Sequence, residues 1–262
     1  MSTGTRDWDA GTYDRVSGPQ EDWSRTVIDR LALAGDEVVL DAGCGSGRVS
    51  ELLLERLPRG SLIAVDGSPQ MAEAARTRLG DRARVLQADL LEVEVEDGVD
   101  AVFSNAVFHW IADHARLFDR LERALRPGGR LEAQCGGEGN VAAFYALVAE
   151  VAARPSFREH LEGYSPTHFA GPELTASLLR KAGFVAVRCW LEPRSVRPAE
   201  PEAFIESVCL GAHLERLPEA LRGPFLEAVL ERVGPRPELD YVRLNISARK
   251  PPADATVSDP TR

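Results

Sequence analysis

Three acidic residues follow short apolar runs in the first third of the sequence, and their carboxylates are well placed to bind a ligand. Asp41 follows Val-Val-Leu, Asp66 follows Leu-Ile-Ala-Val, and Asp89 follows Val-Leu-Gln-Ala. Apolar runs of this length are typical of strands buried in a parallel sheet. Ligands bind such sheets at the carboxyl ends of the strands. The three acids are therefore expected at a ligand-binding edge.

A glycine turn follows the first of these strands. Gly43, Gly45 and Gly47 stand at alternate positions, and a helical pattern of apolar residues begins at Val49. Removing Cβ atoms at such a turn lets backbone N–H groups approach an adenosine-type ligand and its charged tail. Dinucleotide-binding folds place their third glycine where this chain has Arg48, so the spacing disfavours a nicotinamide-dependent oxidoreductase.

Asp66 ends the second strand, about twenty residues beyond the glycine turn, where a carboxylate can accept hydrogen bonds from both hydroxyls of a ribose. Gly67 follows it. Ser68 is expected to cap the next helix, with Pro69 at the first helical position. Met71, on that helix, is predicted to lie beside an adenine ring. The acid and the glycine turn together indicate an adenosine-containing ligand.

The order and spacing of these motifs resemble the class I S-adenosylmethionine-dependent methyltransferases over residues 36–136. The resemblance rests on Asp-x-Gly-x-Gly-x-Gly from Asp41, on Asp66 and Asp89, and on Leu-Arg-Pro-Gly-Gly-Arg-Leu ending at Leu131. It implies an α/β, Rossmann-like fold with a seven-stranded, mostly parallel sheet, helices on both faces, and S-adenosyl-L-methionine as cofactor. The motifs and the resemblance together predict these cofactor-binding residues: Asp41, Gly43, Cys44, Gly45, Asp66, Gly67, Ser68, Met71, Ala88, Asp89, Leu90, Asn105 and Ala106.

The same resemblance implies roles for two of the acids. In that family the acid at the Asp41 position helps to orient the ammonium end of the cofactor. An acid at the Asp89 position accepts a hydrogen bond from the adenine amino group. The neighbouring apolar residue, here Leu90, packs on the adenine ring.

A narrower resemblance is to the trans-aconitate methyltransferase group. It rests on residues 105–110, Asn-Ala-Val-Phe-His-Trp, followed by Asp113 and His114, and on an N-terminal Trp8 and Tyr13. This resemblance implies that the methyl acceptor is a small organic acid.

Methyl transfer from a sulfonium is an in-line displacement, to which a protein contributes mainly proximity and alignment. A carboxylate acceptor is already ionised at neutral pH and needs no general base, whereas a phenol or alcohol does. His109 is the candidate catalytic residue, because the loop after the fourth strand faces the methyl group. The alternative is that His109 only shapes the pocket or contacts the cofactor. Carboxylate O-methylation is the leading interpretation; a phenolic, amine or natural-product acceptor, or a non-catalytic cofactor-binding protein, are the alternatives.

Four residues are candidates for contact with the acceptor. Trp8 and Tyr13 are expected in a flap over the pocket, Trp110 follows the fourth strand, and Arg243 on the last predicted strand can pair with a substrate carboxylate. Helix packing is the alternative for the two N-terminal aromatics. A surface ion pair is the alternative for Arg243, and also for Arg194.

Bulk composition argues against several other functions. The net charge of −10 and a pI of ≈ 5.1 disfavour a nucleic-acid partner, because no basic stripe offsets the repulsion of phosphates. No apolar run approaches the ~20 residues of a membrane span. The four cysteines and five histidines are dispersed, so neither a disulfide framework nor a metal centre is expected. A small-molecule substrate and a cytoplasmic location are expected, with the oligomeric state left open.

Four segments are predicted along the chain: 1–35, an N-terminal flap and first helix; 36–136, the cofactor-binding core; 137–250, the remaining strands with a helical cap built from C-terminal insertions; and 251–262, a disordered tail. Within the third segment, residues 155–166 are expected to be irregular. Residues 203–233 are expected to form two helices joined at Leu217 and Pro218.

Overall fold

Seven strands form one sheet in the computed structural model, which describes the backbone of residues 18–253 and the side chains of residues 23–253. The strands are β1 Val38–Ala42, β2 Ser61–Asp66, β3 Arg84–Gln87, β4 Val99–Asn105, β5 Leu125–Gly136, β6 Val185–Val196 and β7 Leu239–Arg249. Their order is β3-β2-β1-β4-β5-β7-β6, with β1 to β5 parallel and β7 antiparallel to both β5 and β6. The predicted mostly parallel sheet is confirmed. Trp8, Tyr13 and the predicted tail from residue 254 onward lie outside the described residues.

Helices connect these strands. The α-helices are α1 Gly18–Leu31, α2 Arg48–Glu55, α3 Pro69–Leu79, α4 His114–Ala124, α5 Ala142–Ala152, α6 Pro155–Leu161, α7 Pro172–Lys181, α8 Pro201–Phe204, α9 Gly211–Arg216 and α10 Glu219–Val233. A π-helix spans Ile205–Leu210 between α8 and α9, and short 3-10 turns span Gly80–Arg82 and Phe108–Trp110.

Alternating side chains of β1 divide the core between the two faces of the sheet. Val39 packs with Leu31 of α1 and Leu53 of α2, whereas its neighbour Leu40 belongs to the cluster that contains Phe118 of α4. Successive residues of a strand point to opposite faces, so a run of consecutive apolar residues buries both. Helices therefore cover both faces, as predicted.

Side-chain caps start two helices, and Ser68 is the cap that the sequence analysis predicts. Ser68 Oγ accepts a hydrogen bond from the Met71 N–H at 3.2 Å, and Pro69 is the first residue of α3. Asp113 accepts from the Arg116 N–H at 2.9 Å at the start of α4. The cap at Ser68 fixes how the chain leaves the carboxyl end of β2, where the predicted ribose contact lies.

Residues 155–161 form helix α6, so the expectation of an irregular segment there is wrong. Pro155 occupies a first-turn position, where its missing N–H costs nothing. Phe157 and Leu161 are buried, and the Phe157 ring lies 5.1 Å from that of Phe225 in α10. Packing against α10 supports a helix that is too short to be recognised from its own pattern.

A separate apolar cluster joins the helices that follow β5. It contains Phe144 of α5, Leu210 of the π-helix, Phe225 of α10 and Tyr241 of β7. The predicted break at Leu217 and Pro218 is confirmed, because α9 ends before it and α10 begins after it. The π-helix has no signature in the sequence pattern. This cluster holds α5 and the π-helix against the end of the sheet where β5 finishes and β7 begins.

Candidate active site

Asp66 joins the glycine turn to the start of α3. Its Oδ2 accepts from the Gly45 N–H at 2.8 Å, and its Oδ1 accepts from the Ser68 N–H at 2.9 Å. Burial raises the pKa of this carboxyl, and the backbone donors oppose the shift. Each oxygen still has a second acceptor direction, so the half-buried carboxylate can receive two hydroxyl donors as well. This geometry fits the predicted ribose contact.

Four N–H groups of the glycine turn donate within the protein rather than to a ligand. Those of Gly43 and Cys44 donate to the Val65 carbonyl at 2.8 and 2.9 Å, that of Gly45 to Asp66 at 2.8 Å, and that of Gly47 to the Cys44 carbonyl at 3.0 Å. The expectation that N–H groups approach the ligand is therefore wrong for these four. The parallel neighbour β2 supplies the competing acceptors, which a sequence motif does not reveal.

Instead, the turn offers a bare surface. Gly45 has φ +55°, and no heavy atom lies within 4 Å of the position that a Cβ would take. At Gly43, in contrast, there is no space for a side chain, because a Cβ there would lie 2.2 Å from the Val107 side chain. The turn thus packs on the segment after β4 on one side and is open on the other.

Asp41 and Cys44 lie beneath the turn. The Asp41 carboxyl is 1% exposed and accepts from Ser50 Oγ at 2.7 Å. Burial raises the pKa of this carboxyl and the hydrogen bond from Ser50 lowers it, so that the pKa is about 7. The Cys44 side chain is buried with Ala75 of α3, so it fills space. The contact of Asp41 with the cofactor ammonium stays a prediction.

Asp41→Asn is expected to reduce the pH dependence of stability. The pKa of Asp41 rises from 3.8 to about 7 on folding, so the folded protein retains a proton that the unfolded chain releases. The free energy of unfolding therefore falls as pH rises from about 4 through about 7. Between pH 5.5 and 8.5 the loss due to this group is on the order of 2 kcal/mol.

Urea unfolding at these two pH values measures the effect. The wild-type protein should lose more stability than Asp41→Asn, and Asp81→Asn, which alters an exposed carboxyl, should behave as wild type. An equal loss in Asp41→Asn and wild type would contradict an ionisation cost at this residue.

The remaining predicted cofactor residues lie around the ends of β2 and β3. The Ala88 N–H donates to the Asp66 carbonyl at 3.0 Å, which holds the end of β3 beside β2. Met71 and Leu90 are buried. Asp89 is exposed, and its Oδ1 accepts from the Leu91 N–H at 2.9 Å.

The end of β4 connects this region to a cavity. Ala106 follows Asn105 and has φ 63°, a left-handed conformation that is uncommon for residues other than glycine. Its N–H donates to the Gln134 carbonyl at 2.7 Å, and the next residue, Val107, covers Gly43. Ala106 also lines the cavity. One short segment therefore separates the glycine turn from the cavity.

The cavity brings together three residues that the sequence analysis selected from distant segments, His109, Trp110 and Arg243. The described residues that line it come from the segments that follow β4 and β5, the start of β7, α5, the π-helix and the loop before α7. They are Ala106, His109, Trp110, Asn140, Val141, Tyr145, Thr167, Phe169, Val208, Cys209, Tyr241 and Arg243.

His109 is held as a neutral imidazole. Its Nδ1 accepts from the Gly136 N–H at 3.3 Å, and since an amide N–H only donates, the proton of the ring is on Nε2. Burial, followed by the positive charge of Arg243, lowers its pKa well below the ordinary value. The Phe169 ring stacks on the imidazole with the centroids 5.8 Å apart. His109 can therefore donate a hydrogen bond from Nε2 but is poorly suited to accept a proton there.

Arg243 is buried at 2% exposure, so the interpretation as a surface ion pair is wrong for this residue. Its Nε donates to Gln134 Oε1 at 3.4 Å, and its guanidinium carbon lies 4.7 Å from the centre of the Trp23 ring. The side chain is thus fixed between β5 and α1. Arg194, in contrast, is exposed and pairs with Glu192 on the surface.

Gln134 and Tyr241 were not selected from the sequence. Gln134 is buried, and its Nε2 donates to Asn245 Oδ1 at 2.8 Å, which orients its amide oxygen toward Arg243. The available signal was the alternation along β7, where Tyr241, Arg243 and Asn245 recur with the period of a strand. A polar set at this period in an otherwise buried strand indicates a face that lines a site.

Comparison with known proteins identifies the family. The Methyltransferase domain family matches residues 40–133. A trans-aconitate 2-methyltransferase of Acidovorax sp. (strain JS42) is 31% identical over 239 residues, which is 87% of this chain and 89% of that protein. This chain belongs to the class I S-adenosylmethionine-dependent methyltransferases. The methyltransferase is also 30% identical to a malonyl-[acyl-carrier protein] O-methyltransferase of Paenibacillus sp. (strain JDR-2), over 80% of each chain.

Solved structures support the methyltransferase fold. Phosphoethanolamine N-methyltransferase 2 of Haemonchus contortus, in complex with S-adenosylhomocysteine, superposes with a TM-score of 0.62 at 19% identity, covering 92% of this chain and 57% of that one. The [4+2]-cyclase SpnF superposes with a TM-score of 0.58 at 20% identity, covering 89% and 82%. Since an N-methyltransferase and a cyclase share this fold, the fold alone does not define the reaction.

The protein is an S-adenosylmethionine-dependent methyltransferase, and its residues fit that cofactor. The open side of Gly45 and the half-buried carboxylate of Asp66 provide a bare surface beside an acceptor of hydroxyl donors. Within residues 18–253, none of the helices has both the length and the apolar character of a membrane span. Among the described residues, no cluster of His, Cys, Asp and Glu is arranged to hold a metal ion.

Proposed function

We propose that this methyltransferase methylates a carboxylate oxygen of a small organic acid. The observation that carries the proposal is the buried guanidinium of Arg243, which shares a cavity with the neutral imidazole of His109 next to Ala106. A buried cation that faces a ligand cavity is suited to an anionic ligand, because the charge pair offsets the desolvation of both groups. The names of two relatives, trans-aconitate 2-methyltransferase and malonyl-[acyl-carrier protein] O-methyltransferase, agree with an acid as acceptor.

The reaction requires alignment rather than proton transfer. When bound, S-adenosylmethionine supplies a methyl group on a positively charged sulfur. A carboxylate oxygen forms a bond to the methyl carbon as the carbon–sulfur bond breaks, and the products are a methyl ester and the neutral thioether. Arg243 binds the carboxylate, and the Nε2–H of His109 orients it. The aromatic and apolar side chains of the wall limit the hydration of an oxygen that lies against them.

His109→Gln is expected to reduce kcat for ester formation by no more than about tenfold, because one neutral hydrogen bond is worth about 1 kcal/mol. The pH profile of wild-type kcat should be flat between pH 6 and 9, since neither an ionised carboxylate nor a neutral imidazole must release a proton. Steady-state kinetics of the two proteins measure both quantities. A loss of ~10²-fold or more together with an acidic limb in the wild-type profile would instead identify a general base.

A panel of organic acids tests the proposed function directly. The purified protein is incubated with S-adenosylmethionine and each acid, and methyl esters are detected by mass spectrometry. Ester formation that depends on both Arg243 and the cofactor supports the proposal. Cofactor binding without an ester from any acid, combined with methylation of phenols or amines, would contradict it.

A further inference from the structure

The charges around the acceptor cavity limit how many carboxylates a substrate can place there. Among the described residues that line the cavity, Arg243 is the one cationic side chain, and His109 is neutral. A carboxylate taken out of water without a cationic partner is strongly disfavoured. The described part of the cavity therefore matches one carboxylate, and a second or third would lie against neutral walls.

Two of the polar side chains in the wall form hydrogen bonds within the protein. Asn140 Oδ1 accepts from the Val242 N–H at 3.0 Å, which holds the start of β7. The Tyr145 hydroxyl donates to the Cys209 carbonyl at 3.3 Å, which holds α5 against the π-helix. These bonds build the wall, and neither supplies positive charge.

Apart from Thr167, the other described residues of the wall are apolar or aromatic. Phe169 stacks on His109, and the Tyr145 ring lies 6.0 Å from that of Phe169. The π-helix contributes Val208 and the buried Cys209. π-Helical turns are uncommon and are frequently found at functional sites, where they reposition side chains. A surface of this kind is suited to the hydrocarbon part of a ligand.

We propose that the acceptor is an amphipathic monocarboxylic acid, with its carboxylate at Arg243 and an apolar body against Tyr145, Phe169 and Val208. The inference rests on the proposed carboxylate methylation and specifies its substrate class. The proposed acceptor differs from a tricarboxylate such as trans-aconitate, which carries charge along its whole length.

Octanoate and octanedioate form a matched pair of probes, since they have the same chain length and differ by the second carboxylate. Calorimetric titration into the protein loaded with S-adenosylhomocysteine should show octanoate binding about 10²-fold more tightly than octanedioate or trans-aconitate. Equal or tighter binding of either multiply charged acid overturns the inference, as does a failure of octanoate to bind.

Ester formation from the same acids separates this inference from the proposed function. Methylation of trans-aconitate in preference to octanoate would overturn the monocarboxylate assignment while leaving carboxylate methylation intact. Octanoate binding without ester formation would overturn the assignment of octanoate-like acids as acceptors, and the absence of an ester from every acid of the panel would overturn the proposed function.

Val208→Lys adds a cation to the apolar wall and provides a second test. It should raise kcat/KM for octanedioate relative to octanoate by about tenfold, because the new charge can pair with the second carboxylate. Glu206→Lys is the matched control: it introduces a lysine on the same π-helix at an exposed residue outside the cavity lining and should leave the ratio unchanged. An unchanged ratio in a folded Val208→Lys protein that still binds the cofactor would contradict placement of the acceptor body at this wall.

Discussion

Asp66→Ala is expected to weaken binding of S-adenosylmethionine by about 10²–10⁴-fold. The estimate follows from two hydroxyl hydrogen bonds to a charged acceptor, each worth about 1.5–3 kcal/mol. The substitution also removes the acceptor for the Gly45 and Ser68 N–H groups, so the glycine turn loses its link to α3. Isothermal titration calorimetry with S-adenosylmethionine measures the loss.

Two controls make this result specific. Asp81→Ala removes an exposed carboxylate in the turn after α3 and should leave the affinity unchanged. Circular dichroism and thermal unfolding of Asp66→Ala should show a folded protein, since the residue lies at the end of β2 rather than in its apolar core. Wild-type affinity in the folded Asp66→Ala protein would show that the ribose is bound elsewhere.

Arg243→Met is expected to lower kcat/KM for an organic acid by about 10³-fold with little change in cofactor affinity. The loss of a charge-assisted contact to a desolvated carboxylate typically costs several kcal/mol. Methionine keeps most of the side-chain volume between Gln134 and Trp23, which limits the structural effect of the substitution. The effect should appear mainly in KM if Arg243 binds the ground-state carboxylate.

Arg194→Met is the matched control for Arg243→Met. Arg194 is exposed on β6 and pairs with Glu192, so its removal should change neither KM nor kcat. Arg243→Lys should recover part of the activity, because lysine retains the charge without the planar donor pair. Unchanged kcat/KM in Arg243→Met would remove the basis for an acidic acceptor.

The cofactor half of the site was predictable because its residues are close in sequence. Asp66, Ser68 and Pro69 form one strand end and one helix cap, and local rules place each of them. What those rules did not reveal was the pairing of the Gly43 and Cys44 N–H groups with Val65, which depends on the neighbouring strand.

The acceptor half was predictable only in part. His109 was selected as a candidate general base and Arg243 as a partner for a substrate carboxylate. They are 134 positions apart in the numbering and meet only because Gly136 of β5 pairs with Arg243 of β7. Nor did the sequence indicate that Nδ1 of His109 accepts a backbone hydrogen bond, which changes its role from base to donor. The wall from the π-helix depends on packing among the helices after β5 and has no local signature.

Transfer of a labelled methyl group from S-adenosylmethionine to octanoate and to trans-aconitate tests the central claim most directly. Carboxylate O-methylation predicts that the label enters a methyl ester, from which mild base releases it as methanol, and that Arg243→Met strongly reduces this product at acid concentrations below KM. Label in a base-stable product from an amine or phenol, with no ester from any acid, would contradict it.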